Sequence, residues 1–249
     1  MMNAAFTFAP KKTFTAKQVA KDFWAYVRKP LYIAEDADMS KTEKFQYLFK
    51  VLLCKLALLP ILVVIIHFTK KFTGAKSYEL SDTWGTYIAL VMIAPLIEEA
   101  IFRGALHYSR GTIAFVVSFM VMFIIKITGV FELIHWDIGF IYLACIALIP
   151  VVFYAMKPFD EFLHNFWATH FKYIFHFVAI GFGLIHLTNY SGISNYLFAI
   201  PLVTAQLLSG YILGFVRMKL GFGYGVALHV AWNFIAGFGL LVVLLGKVF

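Results

Sequence analysis

Charged residues are scarce in this chain of 249 residues. Asp, Glu, Lys and Arg together make up 14% of it, whereas a soluble globular domain carries roughly 25%. Hydrophobic residues account for 62%, and the mean hydropathy is +0.83. This composition excludes an ordinary soluble domain and predicts a polytopic membrane protein. Residues 1–12 show no basic start followed by an apolar stretch, so we do not expect a cleaved signal peptide.

Cysteine is also rare, and the two residues, Cys54 and Cys145, both lie within apolar segments. This placement argues against a disulfide, and neither cysteine has a neighbour at metal-ligand spacing. Acidic residues are the scarcer charge, which leaves a net charge of +8. The basic residues line the ends of apolar segments and form no single patch. We therefore expect membrane lipids with anionic headgroups, and no nucleic acid, as their partner.

The chain divides into a basic, cytoplasmic N-terminal region, residues 1–45, and a transmembrane domain, residues 46–249. In the first region a helix capping-box pattern begins at Thr15, and apolar residues then recur at helical spacing. This pattern predicts a basic amphipathic helix on the membrane surface. A soluble helix packed against loops fits the pattern equally well. Ser40 begins a second capping pattern, which predicts the start of the helix that leads into the first span.

Apolar segments long enough to cross a membrane recur through the second region. One span needs about 20 apolar residues, and the sequence predicts about seven spans, with room for an eighth. They cover residues 47–68, 84–108, 111–131, 138–156, 170–188, 195–217 and 223–246. No internal repeat is evident. We predict an all-α fold, a polytopic transmembrane helical bundle.

Lys and Arg between the predicted spans indicate the orientation, because cytoplasmic loops carry an excess of both. Their distribution predicts a cytoplasmic N-terminus, with one exception: the first outside loop carries Lys70, Lys71 and Lys76. We expect a multi-pass protein of the cell membrane. The compact size and the lack of a retention signal favour a bacterial plasma membrane. No feature of the sequence specifies an oligomeric state.

Two adjacent glutamates, Glu98 and Glu99, lie inside the second predicted span. Each costs about 3 kcal/mol in the middle of a membrane, so such residues are paired, face water or do chemistry. Residues four apart share a helix face, which makes Arg103 the natural ion-pair partner of Glu99. Glu98 points elsewhere and is the candidate functional carboxylate. Pro95, one turn earlier, removes a backbone hydrogen bond and can kink the helix beside the two acids.

Two later spans carry histidines with a partner on the same helix face. His186 follows Phe182 by one turn, and Asn233 follows His229 by one turn. At a rise of ~1.5 Å per residue, Glu98, His186 and His229 lie about 18, 21 and 15 Å from the cytoplasmic charges of their helices. The three side chains thus fall at nearly one depth, which predicts one shared intramembrane site.

Three spacings together resemble the CPBP family, which contains the CAAX prenyl endopeptidases and bacterial proteins linked to bacteriocin processing or self-immunity. They are EExxxR (Glu98, Glu99, Arg103), FxxxH (Phe182, His186) and HxxxN (His229, Asn233). The resemblance covers roughly residues 84–108 and 170–246. The chain departs from the family in the 82 residues between Arg103 and His186, where the family usually has a short link. Two additional spans fit there, and an even number preserves the direction of the later helices.

The resemblance implies a glutamate-type intramembrane protease without a cofactor. Glu98 would be the general base, and His186 would hold and polarise the attacking water. His229 and Asn233 would stabilise the oxyanion, with Glu99, Arg103 and Phe182 in support. The substrate would be a peptide or a lipidated protein, prenylated or not, that enters a cavity open to the cytoplasm.

Other classes of function remain open at this stage. Two histidines and a glutamate are a catalytic zinc set, although the HExxH spacing is absent. Haem ligation by His186 and His229 is a further alternative. A transporter, or an immunity protein that binds without catalysis, would also use intramembrane Glu and His. The lack of inverted repeats argues against a transporter.

Overall fold

A computed structural model describes residues 14–32, 39–128 and 138–247 of the protein. These residues form an all-α helical bundle with one short antiparallel β-pair. The helices are α1 (Ala16–Arg28), α2 (Lys41–Thr73), α3 (Trp84–Leu106), α4 (Arg110–Thr128), α5 (Ile138–Ala155), α6 (Lys157–Asn189), α7 (Ile200–Leu220), α8 (Phe222–Ala236) and α9 (Phe238–Gly246). The β-pair joins β1 (Lys76–Ser77) to β2 (Tyr190–Ser191).

Both helix starts that the capping patterns predict are present. The backbone N–H of Gln18 donates to Oγ1 of Thr15 at 3.1 Å, and α1 begins at the next residue after Thr15. Ser40 and Glu43 form a reciprocal capping box at the start of α2. These bonds satisfy backbone N–H groups that would otherwise lack a partner at a helix start. The two helix starts are therefore set locally.

Helix α1 packs its apolar face onto the bundle. Val19 and Tyr26 are buried in the main core together with residues of α2, α6 and α7. On the polar side, Asp22 accepts a hydrogen bond from the Tyr47 hydroxyl at 2.9 Å and lies 3.8 Å from Nζ of Lys219. The predicted amphipathic helix thus exists, and helices of the bundle cover its apolar face.

The described part of the chain supports fewer membrane spans by length and composition than the seven predicted. Four helices there are long and apolar enough to cross a membrane: α2, α3, α6 and α7. Helices α8 and α9 meet at a bend of 55° and count as a fifth span if they are taken together. Helices α4 and α5 occupy the third and fourth predicted spans, and residues 129–137 between them lie outside the described ranges. The helical bundle is confirmed, but the count of seven is not.

The antiparallel pair of α6 and α7 makes the most extensive contact in the described bundle. Glycines allow these helices to approach closely, as is common between membrane helices. A side chain at Gly210 would collide with the backbone of Ala179, and one at Gly183 would collide with Leu207. This close pair holds the C-terminal end of α6, with His186, against the N-terminal end of α7.

Candidate functional site

Helix α3 departs from regular α-geometry on both sides of Glu98. Residues Ala89–Ile93 and Glu99–Arg103 form π-turns, in which the backbone bonds i to i+5. In the first π-turn the N–H of Ala94 donates to the carbonyl of Ala89, one residue earlier than in an α-helix. Pro95 follows and has no N–H to donate. Neither residue therefore donates to the carbonyl of Leu90.

Asn233 supplies the missing donor. Its side-chain Nδ2 donates to the carbonyl oxygen of Leu90 at 2.9 Å, across a sequence separation of 143 residues. An unpaired carbonyl in an apolar environment is costly, so this bond stabilises both the π-turn and the position of α8. The sequence predicted that Pro95 removes a backbone hydrogen bond. In the structure this loss is accompanied by a π-turn, and Asn233 binds the carbonyl of Leu90 that the helix leaves unpaired.

The second π-turn carries a fully buried ion pair. Glu99 and Arg103 are both 0% exposed, and Nη1 of Arg103 lies 3.5 Å from Oε1 of Glu99. The predicted pairing is therefore present. Arg103 also donates through Nη2 to the carbonyl oxygens of Ser209 and Gly210 at 3.5 and 3.4 Å, and its Cζ lies 4.0 Å from the centre of the Phe182 ring. These contacts connect α3 to α6 and α7.

His229 lies between the two glutamates. Its Nδ1 is 2.9 Å from Oε1 of Glu99, and its Nε2 is 3.6 Å from Oε2 of Glu98. A Cβ atom at Gly225, one turn earlier on α8, would lie 3.2 Å from Oε2 of Glu99. The absence of a side chain at Gly225 thus lets α8 approach the buried carboxylate. Sequence spacing placed His229 in the shared site but did not reveal its contact with Glu99.

His186 is oriented by its own helix. Its Nδ1 lies 2.7 Å from the carbonyl oxygen of Phe182. A carbonyl can only accept, so Nδ1 carries the proton of this bond and Nε2 of the neutral ring is an acceptor. The Phe182 ring packs against both histidines, with its centre 4.9 Å from that of His186 and 5.8 Å from that of His229.

Five of the seven predicted site residues line one cavity of about 590 Å³. Glu98, His186, His229 and Asn233 all contribute to its wall, and so does Phe182. Glu99 and Arg103 lie behind this wall and are fully buried. The other lining residues are Leu90, Ala94, Ile101, Phe102, Phe119, Met120, Ile185, Thr188, Asn189, Ala205, Gln206, Ser209, Trp232 and Ala236. The structure thus brings together four polar side chains from three separate helices.

The cavity lies towards one end of the bundle. On α6 its lining residues are confined to the C-terminal end, from Phe182 to Asn189, and on α7 to the N-terminal end, from Ala205 to Ser209. Lys219, near the other end of α7, is a residue whose charge predicts the cytoplasmic side. The cavity therefore extends away from the predicted cytoplasmic side. The sequence predicts both a cytoplasmic N-terminus and a cavity that opens to the cytoplasm. If the N-terminus is cytoplasmic, this cavity extends towards the opposite side of the membrane, so the two predictions disagree.

Lys55 is a buried amine near the site that the motifs do not include. It is 1% exposed, and its Nζ lies 3.9 Å from the centre of the Trp232 ring. Within the described ranges this Nζ has no hydrogen-bond partner. Trp232 lines the cavity between His229 and Asn233. The sequence could have indicated Lys55, because it is an ionisable residue within the apolar segment that begins at Val51. The same kind of signal identifies Glu98.

No cluster of three His, Cys, Asp or Glu side chains that could hold a metal ion occurs in the part of the chain that the structure describes. In particular, Nδ1 of His229 contacts a carboxylate and Nδ1 of His186 contacts a backbone carbonyl. The described residues therefore give no support to the alternative of a zinc protease.

Comparisons of the chain with protein-family models, with curated proteins and with solved structures found no significant match. The family resemblance rests on the three motifs alone. What the structure adds is independent of any relative: each of the three motifs contributes at least one side chain to the same cavity.

Proposed function

We propose that this protein is a glutamate-type intramembrane endopeptidase of the CPBP kind, which hydrolyses a peptide bond with a water activated by Glu98. The observation that carries the proposal is the convergence of Glu98, His186, His229 and Asn233 on one cavity. These residues lie in segments up to 135 positions apart in the sequence. A group of polar side chains at a concave, mainly apolar site is the usual arrangement of an active site.

Glu98 is the carboxylate available for chemistry. Glu99 is engaged by Arg103 and His229 and is fully buried, whereas Glu98 lies at the cavity wall. As general base, Glu98 takes a proton from the attacking water, whose oxygen bonds to the scissile carbonyl carbon. The same carboxyl then gives this proton to the leaving nitrogen as the C–N bond breaks. No covalent enzyme intermediate is needed.

The other polar residues fit roles around this step. With Nδ1 of His186 bound to the carbonyl of Phe182, its Nε2 is free to accept a hydrogen bond from the attacking water. The Asn233 amide uses one of its two hydrogens on Leu90, which leaves the second for the oxyanion. His229, held by Glu99, is the other oxyanion donor when its Nε2 carries a proton. Preorganised donors of this kind act strongly where water is scarce.

The finer topology belongs to the same proposal. We propose seven spans, with α4 and α5 as the pair added between the first two motifs, in a cell membrane. The substrate is a peptide or the C-terminal part of a lipidated protein, as for a CAAX protease. No cofactor takes part. The position of the cavity favours entry from the end of the bundle that Asn189 and Ala236 form.

The test is cleavage of prenylated and unprenylated C-terminal peptides by the purified protein in lipid vesicles, with and without a chelator. We expect Glu98→Gln to lower the rate by roughly 10²–10⁴-fold, the usual contribution of a general base, and the chelator to have no effect. The matched control is Glu79→Gln, a substitution of an exposed loop glutamate. Loss of cleavage with the chelator would indicate a metalloprotease. Cleavage by Glu98→Gln at the wild-type rate would refute the proposal.

A further inference from the structure

The cavity has walls of two kinds. Phe119 and Met120 of α4 and Ile101 and Phe102 of α3 contribute an apolar wall. These residues form one continuous wall because α4 packs against the part of α3 that includes the second π-turn. Polar side chains come from the end of α6 and the start of α7: Thr188, Asn189, Gln206 and Ser209. A ligand that fills this cavity needs both an apolar group and hydrogen-bonding groups.

The apolar wall includes residues outside the three motifs. Helix α4 lies in the long segment between Arg103 and Phe182, where the chain departs from the spacing of the family that it resembles. Phe119 is partly buried, Met120 is 37% exposed, and both residues line the cavity. The contribution of α4 is therefore a property of this chain and not of the motifs.

Gln206, a residue of the polar wall, has a side-chain acceptor without a donor. The Oε1 atom of Gln206 is buried and has no hydrogen-bond partner among the residues that the structure describes. The terminal torsion of glutamine is broad and roughly two-fold, so this carboxamide can rotate to present its oxygen to the cavity. A peptide backbone offers N–H donors to such an oxygen, whereas an isoprenoid or acyl chain offers none. The unpaired acceptor therefore favours a peptide as the occupant of this part of the cavity.

We propose that Gln206 binds the backbone of the substrate, and that Phe119 and Met120 select a bulky apolar side chain next to the scissile bond. This inference rests on the proposed function and specifies its substrate class: a peptide segment with a large apolar residue at the cleavage site. The lipid group of a lipidated substrate, where present, lies outside this pocket.

Cysteine protection tests the inference without turnover. Ala205→Cys is made in a chain that also carries Cys54→Ala, Cys145→Ala and Glu98→Gln, and a polar maleimide labels it in lipid vesicles. Ala205 lines the cavity but has no assigned role in selection. Hexapeptides that differ only in a central Phe or Ala are added as competitors. At equal concentration, we expect the labelling rate to be about tenfold lower with the Phe peptide than with the Ala peptide, because apolar pockets discriminate between side chains by such factors. Equal protection by both peptides, protection by neither, or stronger protection by farnesol would overturn the inference.

Two further variants assign the roles of the walls. Phe119→Ala should remove the preference for Phe over Ala. Phe115→Ala is the matched control, because Phe115 contacts the Phe119 ring from the same helix but does not line the cavity. With Gln206 present, we expect a peptide with a free backbone N–H to protect the cysteine better than its N-methylated form. Gln206→Leu should remove this difference.

These binding results and the cleavage results can fail separately. Selective protection without any cleavage of the peptide panel would refute the protease and leave a peptide-binding cavity. Glu98-dependent cleavage with no preference at the Phe119 wall would refute the inference and leave the protease.

Discussion

The Nδ1 atom of His229 lies 2.9 Å from Oε1 of Glu99, within a bond that joins α8 to α3. The same carboxylate oxygen lies 3.5 Å from Nη1 of Arg103. The second glutamate of the pair therefore holds a histidine and an arginine at once, and the first glutamate is left at the cavity. This division of roles between adjacent carboxylates has consequences for folding that can be measured separately from activity.

Glu99→Gln should destabilise the protein strongly. Gln can still accept a hydrogen bond from His229, but it leaves the buried Arg103 guanidinium without its ion-pair partner. Breaking a buried ion pair from one side costs about 3–5 kcal/mol. The measurement is the free energy of unfolding in detergent by denaturant titration. Asp82→Asn, which breaks the exposed pair with Lys247, is the control and should cause no measurable change. Similar stability of both variants would contradict the assigned role of Glu99.

Gly210→Ala should weaken the packing of α6 on α7, because the new Cβ would collide with the backbone of Ala179. Overpacking of this kind costs roughly 1–3 kcal/mol. Gly223→Ala on α8 is the matched control, since no atom lies within 4 Å of a Cβ there. Because Gly223 is the second residue of α8, this substitution should cause no loss of stability. The measurement is the melting temperature of both variants under the same conditions. A lower melting temperature for Gly223→Ala than for Gly210→Ala would show that α6 and α7 are less closely packed than described.

Asn233→Leu should cost roughly 1–3 kcal/mol, because the carbonyl of Leu90 is left unpaired in an apolar environment. The cost should shrink in a Pro95→Ala background, where residue 95 regains an N–H that allows α3 to satisfy this carbonyl itself. A double-mutant cycle on the free energy of unfolding measures the coupling. Additive effects of the two substitutions would show that Pro95 is not the reason that Asn233 is needed.

Lys55→Met should leave stability unchanged or raise it. Met keeps the packing of the aliphatic stem and removes a buried amine that has no hydrogen-bond partner within the described ranges, and apolar replacement of buried charges is often neutral or stabilising. Lys55→Ala also removes the packing and should cost about 2–5 kcal/mol, as other truncations of long buried side chains do. Melting temperatures of the two variants separate charge from packing. Equal losses would mean that the charge itself is required.

Several features follow from local sequence and are present in the structure. The caps at Thr15 and Ser40 are bonds between residues three apart, and the pairing of Glu99 with Arg103 spans one helical turn. Such contacts depend only on helical geometry. The convergence of the three motifs could also be anticipated, because charges at the ends of the helices indicate the depth of the residues between them.

Other features depend on how the helices pack against one another. The contact of His229 with Glu99 joins residues 130 positions apart, and its distance depends on the bare Gly225 surface of α8. The π-turn before Pro95 and its partner Asn233 come from different helices. The burial of Lys55 beside Trp232 likewise depends on which helices are neighbours, and hydropathy carries no information on this.

The sequence by itself determined the helical class, the two helix starts and the set of polar residues that an apolar environment would force together. The tertiary structure decided which atoms meet, the direction in which the cavity extends and the part that α4 plays in its wall. The physical reason is the range of the forces involved. Helix periodicity and the cost of a charge in an apolar segment are properties of the local chain, whereas side-chain pairing requires the relative positions of whole helices.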